Sequence, residues 1–193
     1  MTFNLPLLTR LGGALIVASM AVARPACAAD WKIDPAKSTL GFTGTQTGAP
    51  FKGHFTRYTV QIQFDPAHPE AGHAHVSIDI ASAMTGDQQR DGALPGKDWF
   101  AASQFPAAIF DATKFRSTGA DAYEAIGTLT LRGVSKAETL PFTLTIKDGV
   151  AHAVGRLQLI RSVFGIGQGP WSTGQWVALE VGVDVDLTAS PSG

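Results

Sequence analysis

From Val177 to Leu187 the chain reads VALEVGVDVDL, in which every odd-numbered residue is Val or Leu and every even-numbered one is Ala, Gly, Glu or Asp. Side chains of a β-strand alternate between faces, so this segment predicts a ribbon with one aliphatic face and one acidic, solvated face. The same period of two recurs along the chain. Trp31 to Ile33 and Thr39 to Gln46 predict a first strand interrupted by the Asp34-Pro35 turn. Phe51 to Phe64 predicts a second, with Val60, Ile62 and Phe64 opposed to Thr59, Gln61 and Gln63. His73 to Ile80 sets Val76, Ile78 and Ile80 on one face. Further strands are expected at Ala108–Arg116, Tyr123–Arg132, Lys136–Lys147, Val150–Ile160 and Val177–Thr188. Arg132-Gly133 and Asp148-Gly149 have the composition of hairpin turns between them.

About eight strands joined mostly by short turns predict an up-and-down antiparallel meander. The segment from Ser82 to Pro106 breaks the rhythm with Gly, Pro, the polar run TGDQQRDG and the pair Trp99-Phe100, and predicts short helical turns at most. A connection of that length in a compact β domain is usually functional, a lid among the options. Strands of about 11 residues at ~3.4 Å each, tilted by ~40°, make a wall roughly 25–30 Å tall. The interior of an eight-stranded barrel is filled by side chains or by one slim ligand. The face that would meet there holds Val60, Ile62, Phe64, Val76, Ile78, Ile80, Leu129, Leu131, Phe142, Leu144, Ile146, Leu157, Leu159, Val181, Val183 and Val185. Alternation alone leaves open whether these side chains pack on each other or on a guest.

Composition narrows the class. With 193 residues and 45% hydrophobic content the chain supports one sizeable core and one domain. No basic run or stripe points to nucleic acid. At the N-terminus, Arg10, the apolar run Leu11 to Ala23 and the triplet Ala26-Cys27-Ala28 predict a cleaved secretory signal peptide over residues 1–28 and a domain at 29–193. The apolar run is too short to span a bilayer. The alternative, a lipid-modified Cys27, puts Arg24 and Pro25 where such a signal has small or aliphatic residues. Cleavage removes the one cysteine, so the mature chain has no disulfide. It also takes Arg10 and Arg24, moving the formal net charge from −1 to −3.

Chemistry-bearing candidates are few. His68, His73 and His75 lie in HPEAGHAH, but His73 and His75 share a face with Ser77 and Asp79, opposite the aliphatic one, so they are expected to face solvent rather than hold a metal. GIGQGPW resembles a phosphate loop in composition only, since Pro170 and the lack of a helical pattern remove the helix N-terminus such loops use. Arg161 before it is a candidate for anchoring a head group, or for bracing the rim by pairing with an Asp. Asp87, Arg90 and Asp91 form either a polar lid or a solvated loop. No nucleophile-elbow motif occurs.

The blocks WKIDPAKSTLGF, GHFTRYTVQIQFDP, DWFAASQFPAAIFDATKF, GTLTLRGVSK and RSVFGIG, followed by the final alternating strand, resemble the YceI-like family in their order and across nearly all of Trp31 to Ala189. The resemblance implies an all-β, lipocalin-like, extended eight-stranded antiparallel β-barrel with a long, partly helical connection between strands 3 and 4. It implies a periplasmic protein that binds, transports or sequesters a long-chain polyisoprenoid lipid, of isoprenoid quinone or polyprenyl phosphate type, in its bore. No enzyme activity, metal or further cofactor is implied. A membrane b-type cytochrome or another quinone-using membrane protein is the implied partner; the oligomeric state stays open, a homodimer included. Under this reading the aliphatic face becomes the tail site, and Arg90, Asp91, Trp99, Phe100 and Arg161 become the head-group or lid residues. One departure matters: where many relatives carry a His in the first strand, this chain has Thr43, Thr45 and Gln46, followed by a Gly48-Ala49-Pro50 turn. The competing readings are an enzyme or metal-dependent stress protein using His73, His75 or the Arg161 rim, and an interaction module with a filled core.

Overall fold

The computed structural model describes Met1 and residues 29–192; the expected leader, with Cys27 and its cleavage site, lies outside the described residues. The strands are β1 (Ala29–Ile33), β2 (Thr39–Gln46), β3 (Ala49–Phe55), β4 (Tyr58–Phe64), β5 (His73–Asp79), β6 (Ala83–Met84), β7 (Ala107–Ser117), β8 (Ala122–Leu131), β9 (Val134–Lys147), β10 (Val150–Ile160) and β11 (Glu180–Pro191), with a short helix α1 (Gln88–Ala93). All belong to one antiparallel sheet that closes where β1 pairs with β11.

Eleven segments make eight wall strands, because three walls, β1/β2, β3/β4 and β5/β6, are broken midway. β1 and β2 both pair with β11, at Trp31↔Pro191 and Thr43↔Gly182, and are separated by a 3-10 turn, Pro35–Lys37. Asp34 starts that turn by accepting from the Ala36 N–H at 3.0 Å, and Pro35 has no N–H to give a ladder. The single strand expected over Phe51 to Phe64 is likewise two. At Thr56-Arg57 the chain changes neighbour: β3 pairs with β6 at Phe55↔Ala83, whereas β4 pairs with β5. Ser82 fixes the switch, its carbonyl accepting from the Thr56 N–H at 3.2 Å and its hydroxyl oxygen from the Arg57 N–H at 3.1 Å. Tyr58 then spans the gap between the first two of these walls, its hydroxyl donating to the Ser38 carbonyl at 3.0 Å.

Three hairpins turn on residue pairs with positive φ: Thr47-Gly48 (49°, 79°), Arg132-Gly133 (49°, 73°) and Asp148-Gly149 (52°, 77°). These are the mirror-image turns whose twist matches that of paired strands. The first turn is therefore one residue earlier than Gly48-Ala49-Pro50; Pro50 already sits in β3 opposite Thr45. In β7 a register shift between Ala112 and Lys114 flips the parity, so that Ala108 and Ala112 before it and Phe115 after it are all buried. The long connections, residues 80–106 and 161–179, both lie at one end of the barrel. The Thr47-Gly48 and Arg132-Gly133 turns share that end, and Asp148-Gly149 lies at the other.

Candidate functional site: the bore of the barrel

The inner faces of the strands enclose a cavity of about 260 Å³. Its wall is almost entirely carbon, and among the described residues Arg161 is the one ionisable side chain on it. An apolar cavity of ~150 Å³ already takes up benzene. Val60, Ile62, Val76, Ile78, Leu129, Leu131, Phe142, Leu157, Val181, Val183 and Val185 line it and are only half-buried, although all point inward. Phe64, Ile80, Leu144 and Leu159 line it and are fully buried. In a close-packed core the first group would be as buried as the second. The register explains the alignment: Val183 of β11 sits beside Leu157 of β10 on one side and Phe42 of β2 on the other.

Ile146 does not line the bore. It has the inward parity of β9, opposite Ala151, but lies at the strand's end next to the Asp148-Gly149 turn and is 43% exposed. Parity places a side chain on a face, not within the height of the cavity. Further residues line the bore beyond those on the alternating face. Phe42 was legible from the alternation of Leu40 and Phe42 in β2, whereas Phe115 was hidden by the bulge, and Leu94, Phe164 and Ile166 come from connections without a period.

One end of the bore is closed by aromatic rings. Phe64 meets Phe115 and Tyr123 at centroid distances of 5.0 and 5.5 Å, and Phe142 meets Phe115 and Tyr123 at 6.0 and 5.6 Å. Trp31 joins this cluster and donates its indole N–H to the Phe64 carbonyl at 3.0 Å.

The other end is closed by the two long connections, stitched through polar groups. Trp99 and Phe100 pack over the bore with Phe164 and Ile166. The Asp98 carbonyl accepts from the Gly167 and Gln168 N–H groups at 2.8 and 2.7 Å, and Arg132 donates to the carbonyls of Gly165 and Lys97 at 2.7 and 2.6 Å. Arg161 is 3% exposed, and among the described residues its guanidinium bonds backbone carbonyls and no carboxylate. Its Nε donates to Ala178 O at 2.9 Å, one terminal nitrogen to Ile166 O at 2.7 Å, and the other to Trp171 O and Val177 O at 2.6 and 2.7 Å. Burial holds its pKa below the usual guanidinium value. The rim is thus braced by carbonyls rather than by an Asp. A Cβ on Gly167 would overlap the Arg161 guanidinium, so the glycine of GIGQGPW serves close approach, not phosphate binding.

Arg90 and Asp91 stand off the bore wall. Arg90 lies 4.1 Å over the Phe51 ring and donates to Gln46 Oε1 at 3.2 Å and Thr85 Oγ1 at 3.1 Å, tying α1 to the tip of the β2–β3 hairpin. Asp91 accepts from the Thr85 hydroxyl and N–H at 2.6 and 2.7 Å, and these bonds, the hydroxyl's first, lower its pKa. Gln46 and Thr43, two of the residues this chain has where many relatives carry a histidine, are engaged by Arg90 and Arg156 respectively. On the outer face His75 meets Asp111 at 2.5 Å and His73 meets the Ala71 carbonyl at 3.2 Å, both exposed. Among the described residues no three His, Cys, Asp or Glu side chains converge as a metal-holding group.

These features define a closed antiparallel up-and-down barrel built around an apolar bore. Residues 31–189 match the YceI-like domain, and the chain belongs to that family. It is 35% identical over 136 residues to a UPF0312 protein of Yersinia pestis (strain Pestoides F), covering 69% of this chain and 70% of that one. Among solved structures it is similar to Burkholderia cenocepacia BcnA, with a TM-score of 0.80 and 33% identity over 82% of this chain and 100% of that one. It shares its fold with a polyisoprenoid binding domain from Saccharophagus degradans, with a TM-score of 0.63 and 17% identity over 84% and 98% of the two chains.

Proposed function

We propose that this protein binds a polyisoprenoid lipid, of quinone or polyprenyl phosphate type, in its bore, and that it sequesters or shuttles that lipid in the periplasm after removal of residues 1–28. The observation that carries the reading is the wall itself: inward-pointing Val, Ile and Leu side chains that remain half-exposed around an apolar cavity. Burial is worth ~0.8 kcal/mol per CH₂, so each five-carbon unit costs on the order of 3–4 kcal/mol to expose to water. A tail of several units crosses an aqueous compartment only inside such a sleeve. The binding named for the Saccharophagus degradans domain of the same fold supports the reading.

The bore offers a polar head almost nothing to bond, so the head sits at a mouth, and the polar end beside Arg90, Trp99 and Phe100 is where it belongs. A quinone-using membrane protein, a b-type cytochrome included, is the proposed donor or acceptor. The test is organic extraction of protein purified from its native compartment, followed by mass spectrometry. A prenyl lipid at near-stoichiometric yield is expected; a protein free of lipid refutes the reading.

A further inference from the structure

The wall changes character toward the aromatic end. Along most of the bore it is Val, Ile and Leu, but at the far end it is alanine: Ala112, Ala125, Ala151 and Ala189, on four different strands, are all buried. Side chains of a single carbon at these positions leave room for larger ones from the neighbouring strands. Phe64, Phe115, Tyr123 and Phe142 fill that room, edge against face for most of their contacts. Three of the four also line the cavity, with Tyr123 behind them.

We propose that this aromatic floor sets the longest prenyl tail the bore accepts, an inference that rests on the lipid-binding reading above. The cavity is small against a tail of many units, so the depth at which the tube stops decides how much tail stays dry. The stop is a plug of side chains inside a continuing tube, not the end of the sheet. β9 runs on from Phe142 to Lys147, and β10 begins at Val150 beneath the plug. Removing one ring therefore lengthens the bore into an alanine-lined space. Alanine has no side-chain torsion with which to close that space, so the void persists until a longer tail fills it.

Phe115→Ala is the direct variant, because Phe115 contacts both Phe64 and Phe142. Phe115→Leu shortens the ring more gently and serves if the alanine variant fails to fold. Leu159→Ala, on the lining near the lid, widens the bore without deepening it. Delipidated wild type and variants are titrated with polyprenols of graded length, and the thermal midpoint is read against the number of units. In the wild type the midpoint should rise with each unit and then level off. Phe115→Ala should begin lower and level off about one unit later, since a phenyl ring and a five-carbon unit displace similar volumes. Leu159→Ala should level off with the wild type. A plateau at the same length in wild type and Phe115 variants overturns the floor proposal while leaving lipid binding intact. No stabilisation of the wild type by any polyprenol overturns the binding reading and the floor with it.

Discussion

The two ends of the barrel are closed by opposite means. The floor is hydrocarbon, four rings among alanines, whereas the lid frames its own rings with guanidinium groups bonded to backbone carbonyls. Exposing the floor costs the burial of whole aromatic side chains, at ~25 cal/mol per Å². Opening the lid uncovers rings as well, Trp99, Phe100 and Phe164 among them, but its hydrogen bonds are exchanged for water bonds at a net ~0.5–1.5 kcal/mol each. The lid end can therefore open one hydrogen bond at a time, whereas the floor is exposed only as whole rings, and under the proposed function the lid is the end at which the ligand is exchanged.

The largest effect should come from Arg161→Met, which strands the carbonyls of Ile166, Trp171, Val177 and Ala178 at once. Unsatisfied buried acceptors cost ~1–3 kcal/mol each, so a loss on the order of 5 kcal/mol is expected in urea unfolding. Arg161→Lys should recover only part of it, because three donors on a flexible stem cannot reproduce a fork of five. Phe115→Ala comes next, at ~3–5 kcal/mol, the usual cost of deleting a buried ring. If it proves as mild as a surface change, the floor is not packed as described.

Arg90→Leu separates the two ends more cleanly. It removes the tie from α1 to Gln46 and the contact over Phe51, and should cost only about 1 kcal/mol. Lipid release, followed by transfer to acceptor vesicles, should nonetheless quicken; an unchanged release rate would show that α1 is not the moving part. Acid should act on the same lid. The pKa of Asp91 is lowered in the fold by its bonds to Thr85, so its contribution is present above the ordinary carboxylate pKa and is lost as pH falls through the lowered value. Faster release in acid by wild type but not by Asp91→Asn is the expected pattern. The smallest effect belongs to the outer wall, where His73→Ala with His75→Ala should change stability by under about 1 kcal/mol and leave lipid content unaltered.

Much of this was legible in the sequence because a strand's period is two and its turns are chemically marked. The alternation from Val177 to Leu187 and the pairs Arg132-Gly133 and Asp148-Gly149 carried the strands and their faces directly. What was hidden depends on distant partners. The break at Thr56-Arg57 is made by Ser82, and the bulge in β7 arises only against β8. Ile146 has the right parity but stands past the end of the bore. Gly182 reads as an open position on the outer face, yet Arg156 lies across it to reach Asp184 and Thr43. Arg161 was visible as a lone charge in an apolar stretch, but its partners are carbonyls, which no sequence pattern displays.

The central claim, that the aliphatic wall surrounds a guest, is tested most directly at Val183. The measurement is bound lipid per mole, alongside the thermal midpoint, for Val183→Trp purified from the native host, with Gln158→Ala on the exposed outer face of β10 as control. A tryptophan entering an occupied bore takes the volume of the tail, so lipid yield should fall severalfold while the midpoint of the stripped protein changes little. In a bore filled by its own side chains the same change overpacks, at ~1–3 kcal/mol. Unchanged lipid with a sharply lower midpoint would contradict the account.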